Sequence, residues 1–275
     1  MRLDNYSIVG FDGPDAVAFA HAQFANDVAS LPVGHWQWNA WLTAKGRVIA
    51  VFALLKRAPD ALLALVPDMP ADAFAEPLKR FVFRRKLRIA SRADLAAIGI
   101  VQPPQQAAGA TFVSTTGHGI ELDFGSAGCA RTLSVAASES ATDLPADDGS
   151  WRRMDLRFGL PRLDAGQREQ WTPQQLALDR LQAYSVSKGC YPGQEIVART
   201  HFLGKAKRAA TLLELPGSVN PGDEVTHAGT AIGTVASTAA GTLALAVLPL
   251  DAPTDALAVS GLTALAVPML GGLAR

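Results

Sequence analysis

Cysteine is nearly absent from this chain: Cys129 and Cys190 are the only two among 275 residues. Two cysteines so far apart make no disulfide framework, and neither has a second cysteine at metal-ligand spacing. The five histidines, His21, His35, His118, His201 and His227, are scattered without HxxxH-like spacing, so no dedicated zinc site is expected. A phosphate-cradling glycine loop is missing as well. No GxGxxG follows a strand-like run and no GxxxxGKS/T occurs, which removes the common nucleotide-binding readings. No apolar run reaches the roughly 18–20 residues of a spanning helix. Neither sign of charge is in excess: Lys plus Arg and Asp plus Glu each number 25. Strong non-specific nucleic-acid binding by the whole molecule is therefore not expected, although a local basic patch remains open. The opening residues Met1-Arg-Leu-Asp-Asn-Tyr6 show neither an apolar signal region nor an Arg/Ser-rich transit pattern. A soluble, reducing, cytoplasmic setting without a membrane partner is the simplest expectation.

What is present is a large apolar fraction. Hydrophobic residues make up 49% of the chain and charged residues 18%, the balance of an ordered globular protein. A mass of 28.9 kDa leaves room for two or three domains. Asp12 or the turn after it caps an expected helix carrying Ala16, Val17, Phe19, Ala20, Phe24 and Val28. Runs Trp36–Thr43 and Arg47–Leu55 flank Ala44-Lys-Gly46 and read as a hairpin, with glycine where positive φ is needed. Strand-like runs also cover 61–66, 83–89 and 95–101, and helical spacing covers 71–81 with Phe74, Leu78 and Phe81 on one side. Segment 102–110 reads as a connection, 111–135 as short strands and turns, and 139–149 as an acidic loop. Thr172-Pro-Gln-Gln to Leu181 has the look of a capped helix. After Lys205-Ala-Lys-Arg208 come strand-like runs at 209–215, 224–226, 230–237, 243–248 and 263–267, separated by Gly/Pro turns such as Ala240-Gly241. Such spacing suggests a small Greek-key barrel. No repeat of the roughly 20–50-residue period of solenoids is evident.

The densest chemistry lies in Lys188-Gly-Cys-Tyr-Pro-Gly-Gln-Glu195. A thiol is nucleophilic only as thiolate, and a nearby cation or helix N-terminus favours that form. Lys188 precedes Cys190 by two residues, and Pro192 suits the first turn of a helix running on through Arg199. A small buried residue in a tight turn is the competing reading of Cys190. No local His or Asp completes a hydrolytic triad. A metal or cluster bridged by Cys190 and an external partner stays open. Gly189 and Gly193 permit unusual φ values and close approach. Glu195 falls where the helix dipole stabilises its charge, either as a structural cap or as an acceptor for the amino-pyrimidine edge of a pterin. Cys129, in a Gly/Ala-rich turn, reads as structural.

Arg80, Arg84, Arg85, Lys86, Arg88 and Arg92 form the densest basic region, either a solvated strand face or an anion site for RNA phosphate or an acidic ligand tail. Trp36 and Trp38 share one face of their run and Trp41 the other; core packing and stacking on a flat heterocycle are both open.

The stretch Lys188 to Arg199 resembles the signature of the YgfZ-type folate-binding proteins, relatives of the glycine-cleavage T-protein, an aminomethyltransferase. Gly159-Leu-Pro161, Pro173-Gln174, Gly204-Lys205 with Lys207-Arg208, Gly10 to Asp15, Gln23 with Asn26-Asp27, and Lys45-Gly-Arg47 are similar too. The resemblance implies an α+β, aminomethyltransferase-like folate-binding fold of mixed or antiparallel sheets with helices, then a six-stranded barrel, with a cleft between domains. It implies an N-terminal part over 1–110, a central part carrying the motif over 111–204 and a barrel over 205–275. Tetrahydrofolate or a one-carbon derivative is the implied cofactor. The implied role is accessory: support of the synthesis or repair of iron–sulphur enzymes as protein clients, with an indirect effect on tRNA modification and a weak tRNA contact. Cys190 and Lys188 carry over as the reactive pair, and Tyr191, Gly193, Gln194, Glu195 and Arg199 as cofactor-binding residues. Three positions depart from relatives: Ala177 where Asn is frequent, and Asp155 and Arg157 where the T-protein has Arg and Glu. The T-protein motif also has no equivalent cysteine, so glycine-cleavage activity is not expected. A tetrahydrofolate-dependent one-carbon transferase or demethylase, or a non-catalytic module docking RNA or a protein partner through Arg84, Lys86 and Arg88, are the alternatives.

Overall fold

In a computed structural model, residues 1–114, 119–204, 206–239 and 242–275 are described; His118, Lys205 and the Ala240-Gly241 turn lie outside the described residues. The first half is organised by a five-stranded antiparallel sheet. Its strands are β1 (Tyr6–Asp12), β2 (His35–Leu42), β3 (Val48–Ala58), β4 (Ala61–Pro67) and β5 (Arg88–Ser91), in the order β2-β3-β4-β1-β5. Both faces are buried, so these strands are nearly continuous in apolar residues rather than alternating. Trp36 and Trp38 face a large core shared with the second sheet. Trp41, beside a bulge at Trp41/Leu42, faces α1 (Ala16–Gln23) and α2 (Ala71–Lys79) with Phe52 and Phe74. All three tryptophans are therefore core. The hairpin turn at Gly46 has φ +68°, which glycine adopts without strain.

A four-stranded sheet follows, formed by β6 (Leu95–Ile100), β7 (Phe112–Ser114), β8 (Ile120–Asp123) and β9 (Thr132–Ala137) in the order β6-β9-β8-β7. It packs on the Trp36/Trp38 face together with α3 (Ser150–Arg157). Next come α4 (Gln194–Phe202) and six short strands: β10 (Arg208–Glu214), β11 (Glu224–His227), β12 (Thr230–Ala239), β13 (Leu243–Pro249), β14 (Leu257–Val259) and β15 (Leu262–Val267). These close in the order β10-β13-β12-β11-β14-β15, a small antiparallel Greek-key-like barrel around Leu213, Val225, Val235 and Val259. The chain is thus α+β with a terminal barrel. No helix among the described residues is long and apolar enough to cross a membrane.

Several local expectations are corrected. The strand expected over 83–89 is a turn until β5 begins at Arg88: alternating cations mimic a two-residue period, but Arg85 N–H closes onto Val82 O (2.9 Å). Phe81, expected on the buried side of α2, lies past its end and is exposed. The helix expected over 172–181 is a series of turns with one 3₁₀ turn at Leu178–Leu181, because Ala177 takes φ +52°. The first helix stops at Gln23, and Phe24 continues extended. Pro192 precedes the Gly193 cap rather than entering α4. Strand β14, only three residues long, has no matching strand-like run among the sequence expectations.

Candidate functional site

The Lys188 side chain turns inward. Its ammonium donates to Phe24 O (2.6 Å), Asn26 O (3.2 Å) and His21 O. These carbonyls lie at or just beyond the end of α1, where backbone acceptors lack helical partners and the dipole attracts a cation. The three donors of the ammonium thus face three carbonyls, and its nitrogen also lies 4.8 Å from the Tyr191 ring centroid. Burial pulls Lys188 down to about 8, against the opposing charge of Asp27. Cys190, two residues on, is exposed. Lys188 is therefore a tether between the motif and α1, with no donor left over for a thiolate.

The rest of the motif divides in the same way. Tyr191 is buried and donates to Ser185 O (3.2 Å), and Gln194 Nε2 donates to Lys188 O (3.3 Å). Gly193, at φ +83°, caps α4 against the β2–β3 turn: an added Cβ would lie 2.6 Å from Thr43 O and 2.7 Å from Gly46 Cα. Gly46 in turn has room only for hydrogen, since its Cβ would meet Ile196 Cβ at 2.9 Å. Glu195 and Arg199 sit on α4 and point to solvent. Asn26 completes the assembly by donating to Trp38 O (2.8 Å) and Gln182 O (2.7 Å).

A cleft of about 770 Å³ lies where the segment 174–186, the end of α4 and the barrel meet. Gln174, Ala177, Asp179, Arg180, Gln182 and Tyr184 form one wall; Thr200 and His201 come from α4; Ala209 to Leu212 of β10 form the other. None of residues 188–199 lines it. Gln174 donates from Nε2 to Val197 O (3.1 Å), and its buried Oε1 has no partner among the described residues. Burial pushes the Tyr184 phenol up to about 12, so it remains a donor at neutral pH. A second cavity of about 390 Å³ shares Gln182, Tyr184 and Val186 with the cleft and adds Asn26, Asp27 and Gln37. Of the cleft residues, Gln174 and Ala177 stood beside recognisable sequence features; Gln182, Tyr184 and Thr200 carried no local signal.

Comparison with known proteins gives a consistent picture. No family model matches the chain. It is 28% identical over 233 residues to the tRNA-modifying protein YgfZ of Serratia proteamaculans, covering 78% of this chain and 70% of that protein. The YgfZ of Yersinia enterocolitica is also 28% identical, over 80% of this chain and 71% of its own. An uncharacterized protein of Haemophilus influenzae matches at 28% over 78% and 73%. Among solved structures, the glycine cleavage system aminomethyltransferase T of Bartonella henselae superposes with TM-score 0.76 at 15% identity, over 98% of this chain and 84% of that one. The chain is similar in sequence to the YgfZ proteins and shares its fold with the aminomethyltransferase. Within this fold the cleft lies beside the barrel and Cys190 is on the surface.

The departures from the T-protein pattern have structural consequences in this YgfZ-like chain. Asp155 is fully buried, with Arg131 Nη1 2.7 Å from one oxygen and Arg162 Nη1 2.5 Å from the other. Arg162 continues to Asp68 (2.5 Å), and the Arg131 guanidinium lies 4.7 Å from the Trp151 ring and 4.9 Å from Phe158. A buried carboxylate shared by two arginines is a structural tie. Arg157 is exposed. Ala177 lines the cleft in the left-handed region, a conformation that Asn tolerates better.

Proposed function

We propose that this protein binds tetrahydrofolate or a one-carbon derivative in the cleft beside the barrel. In this reading it supports synthesis or repair of iron–sulphur enzymes and affects tRNA modification indirectly through them. The observation that carries the folate part is the cleft itself. Its volume of about 770 Å³ falls within the range of about 300–1,000 Å³ typical of small-molecule sites. Its wall combines an aromatic ring (Tyr184), aliphatic surface (Val186, Leu212), amides (Gln174, Gln182) and a carboxylate (Asp179). That set suits a flat heterocycle with donors and acceptors on its edge, and the unpartnered Gln174 Oε1 leaves one acceptor to satisfy. Arg180 supplies a cation for a carboxylate tail. Bound there, tetrahydrofolate would accept a one-carbon unit and its one-carbon derivatives would supply one.

Cys190 acts in this reading at the protein surface, as an exposed thiol that a client protein reaches. Lys188 and Tyr191 set the backbone that presents it, and Gly193 and Gln194 hold that backbone against the hairpin and α4. Titration calorimetry with tetrahydrofolate tests the folate part. Binding is expected in the wild type, weakened about tenfold or more by Tyr184→Ala. No heat from the wild type would sink it. For the thiol, Cys190→Ala is expected to leave the fold intact yet fail to restore cluster-enzyme activity in a deletion strain; full restoration removes the thiol from the mechanism.

A further inference from the structure

The basic region at the end of α2 is not absorbed by the cleft. None of residues 80–88 lines the cleft, and the α2 side of the five-stranded sheet is the face opposite the Trp36/Trp38 core. Within Arg80-Phe-Val-Phe-Arg-Arg-Lys-Leu-Arg88, five cations are exposed, and among the described residues none of them forms an ion pair. Carboxylates near it include Asp15, whose Oδ2 accepts from Lys86 N–H (2.6 Å), Asp12, opposite Arg88 in the sheet register, and Glu76, one turn before Arg80 and paired with Lys79. Between the cations stand two outward aromatics, Phe81 at 56% and Phe83 at 88% exposure.

Phe83 is unusual in a second way. It occupies φ +47° in the turn closed by Arg85 N–H, a conformation that glycine or Asn adopts more readily. A large aromatic held in strained backbone, facing solvent, gains nothing from burial; such outliers cluster at binding sites. The Arg84 guanidinium lies 5.6 Å from the Phe83 ring centroid, so ring and cation form one platform. Its base is fixed: a Cβ on Gly13 would strike Lys86 O at 2.4 Å, and Leu87 packs on the α2-side core.

We infer that residues 80–88 form a docking surface for single-stranded RNA. Exposed rings offer stacking to unpaired bases while the unpaired cations follow the phosphates. RNA presents such bases in loops and ends, whereas duplex DNA keeps its bases stacked inside. This inference is independent of the folate reading.

Fluorescence anisotropy on the full-length protein, with a labelled unstructured RNA of about 12 nucleotides, tests it between about 50 and 200 mM salt. Wild type is expected to bind with strong salt dependence. Phe83→Ala should weaken binding about tenfold with an unchanged salt slope, because it removes stacking and no charge. The pair Arg84→Gln, Arg85→Gln should lower the slope by about 1.4, at about 0.7 for each phosphate no longer neutralised. If the alanine variant misfolds, Phe83→Gly, which suits positive φ, supplies the same readout. A duplex of the same sequence should bind more weakly than the single strand. The inference is overturned if wild type shows no salt-dependent RNA binding, or if both Phe83 variants bind as wild type does, which is polyanion attraction alone. It is also overturned if the substitutions abolish binding to phosphatidylserine vesicles and leave RNA binding intact, which marks a membrane-facing patch. Tetrahydrofolate titrations should be unchanged in these variants. An absence of folate binding in all of them counts against the folate proposal only.

Discussion

Lys188 joins two parts of the chain that are 162 residues or more apart through one nitrogen atom. Replacing it by Met removes the ammonium donors that reach three carbonyls, and an unsatisfied buried acceptor costs about 1–3 kcal/mol. Lys188→Met is therefore expected to destabilise the protein by about 3 kcal/mol at neutral pH, read from urea unfolding. The pH dependence has a definite sign. Lys188 sits near 8 in the folded protein against an ordinary value of 10.5. Between those values the unfolded chain binds more protons than the folded one, so the lysine's contribution to stability rises with pH. The gap between wild type and Lys188→Met should widen from about pH 8 upward. A gap that narrows there would contradict the lowering of the Lys188 pKa by burial. Cys190, its neighbour in sequence, is the opposite case: exposed and therefore free of any packing duty.

At the scale of elements, α4 and the β2–β3 hairpin meet backbone to backbone through Gly46 and Gly193. Gly193→Ala combines positive φ with a Cβ 2.6 Å from Thr43 O, and is expected to cost about 2–4 kcal/mol. Gly46→Ala forces apart the same two elements. The double variant should therefore lose less than the sum of the two, and strict additivity in thermal unfolding would show that the glycines act separately. Both elements were legible in the sequence, the hairpin from Gly46 between apolar runs and α4 from the motif preceding it. Five of the six barrel strands were legible for a similar reason, since Gly/Pro turns punctuate them. The failures had local causes. At 83–89 the alternation of Arg84, Lys86 and Arg88 reproduced a strand's period while the backbone turned at Phe83. At 172–181 helical composition was overridden by the left-handed Ala177 and Gln182. The cleft was hidden because its walls come from segments near 174–186, 200–212, 250 and 267–269, which only the folded chain brings together. Locally, the conspicuous motif serves to anchor α4, and the cleft is walled by the residues on either side of it.

Across the whole molecule, the buried Asp155 ties four regions. Arg131 leads into β9, Arg162 bonds to Asp68 at the end of β4, and Arg162 N–H donates to Ser237 Oγ of β12 (3.0 Å). Arg152 on α3 adds a bond to Thr238 O (2.6 Å). The barrel is thus docked onto the sheets by polar ties, and the cleft exists only while it is docked. Asp155→Ala strands the buried Arg131 guanidinium, leaves Arg162 to Asp68 alone, and is expected to cost about 3–5 kcal/mol. Adding Arg131→Met should recover part of that loss, because a buried pair replaced by apolar groups is often close to neutral. Calorimetry in which the double variant is less stable than Asp155→Ala alone would contradict a shared ion pair.

The segment after the barrel returns to the first half of the chain, where Trp38 Nε1 donates to Leu273 O (2.8 Å) across 235 residues. This has a consequence in time. At a synthesis rate of about 5–20 residues per second, the acceptor for that indole is made roughly 10–50 s after β2 has been synthesised. Until then the Trp36/Trp38 face waits with an unpaired donor at its centre. The four-stranded sheet, complete at Ala137, is made well before that, so what stays open for the whole interval is the place taken by the final segment.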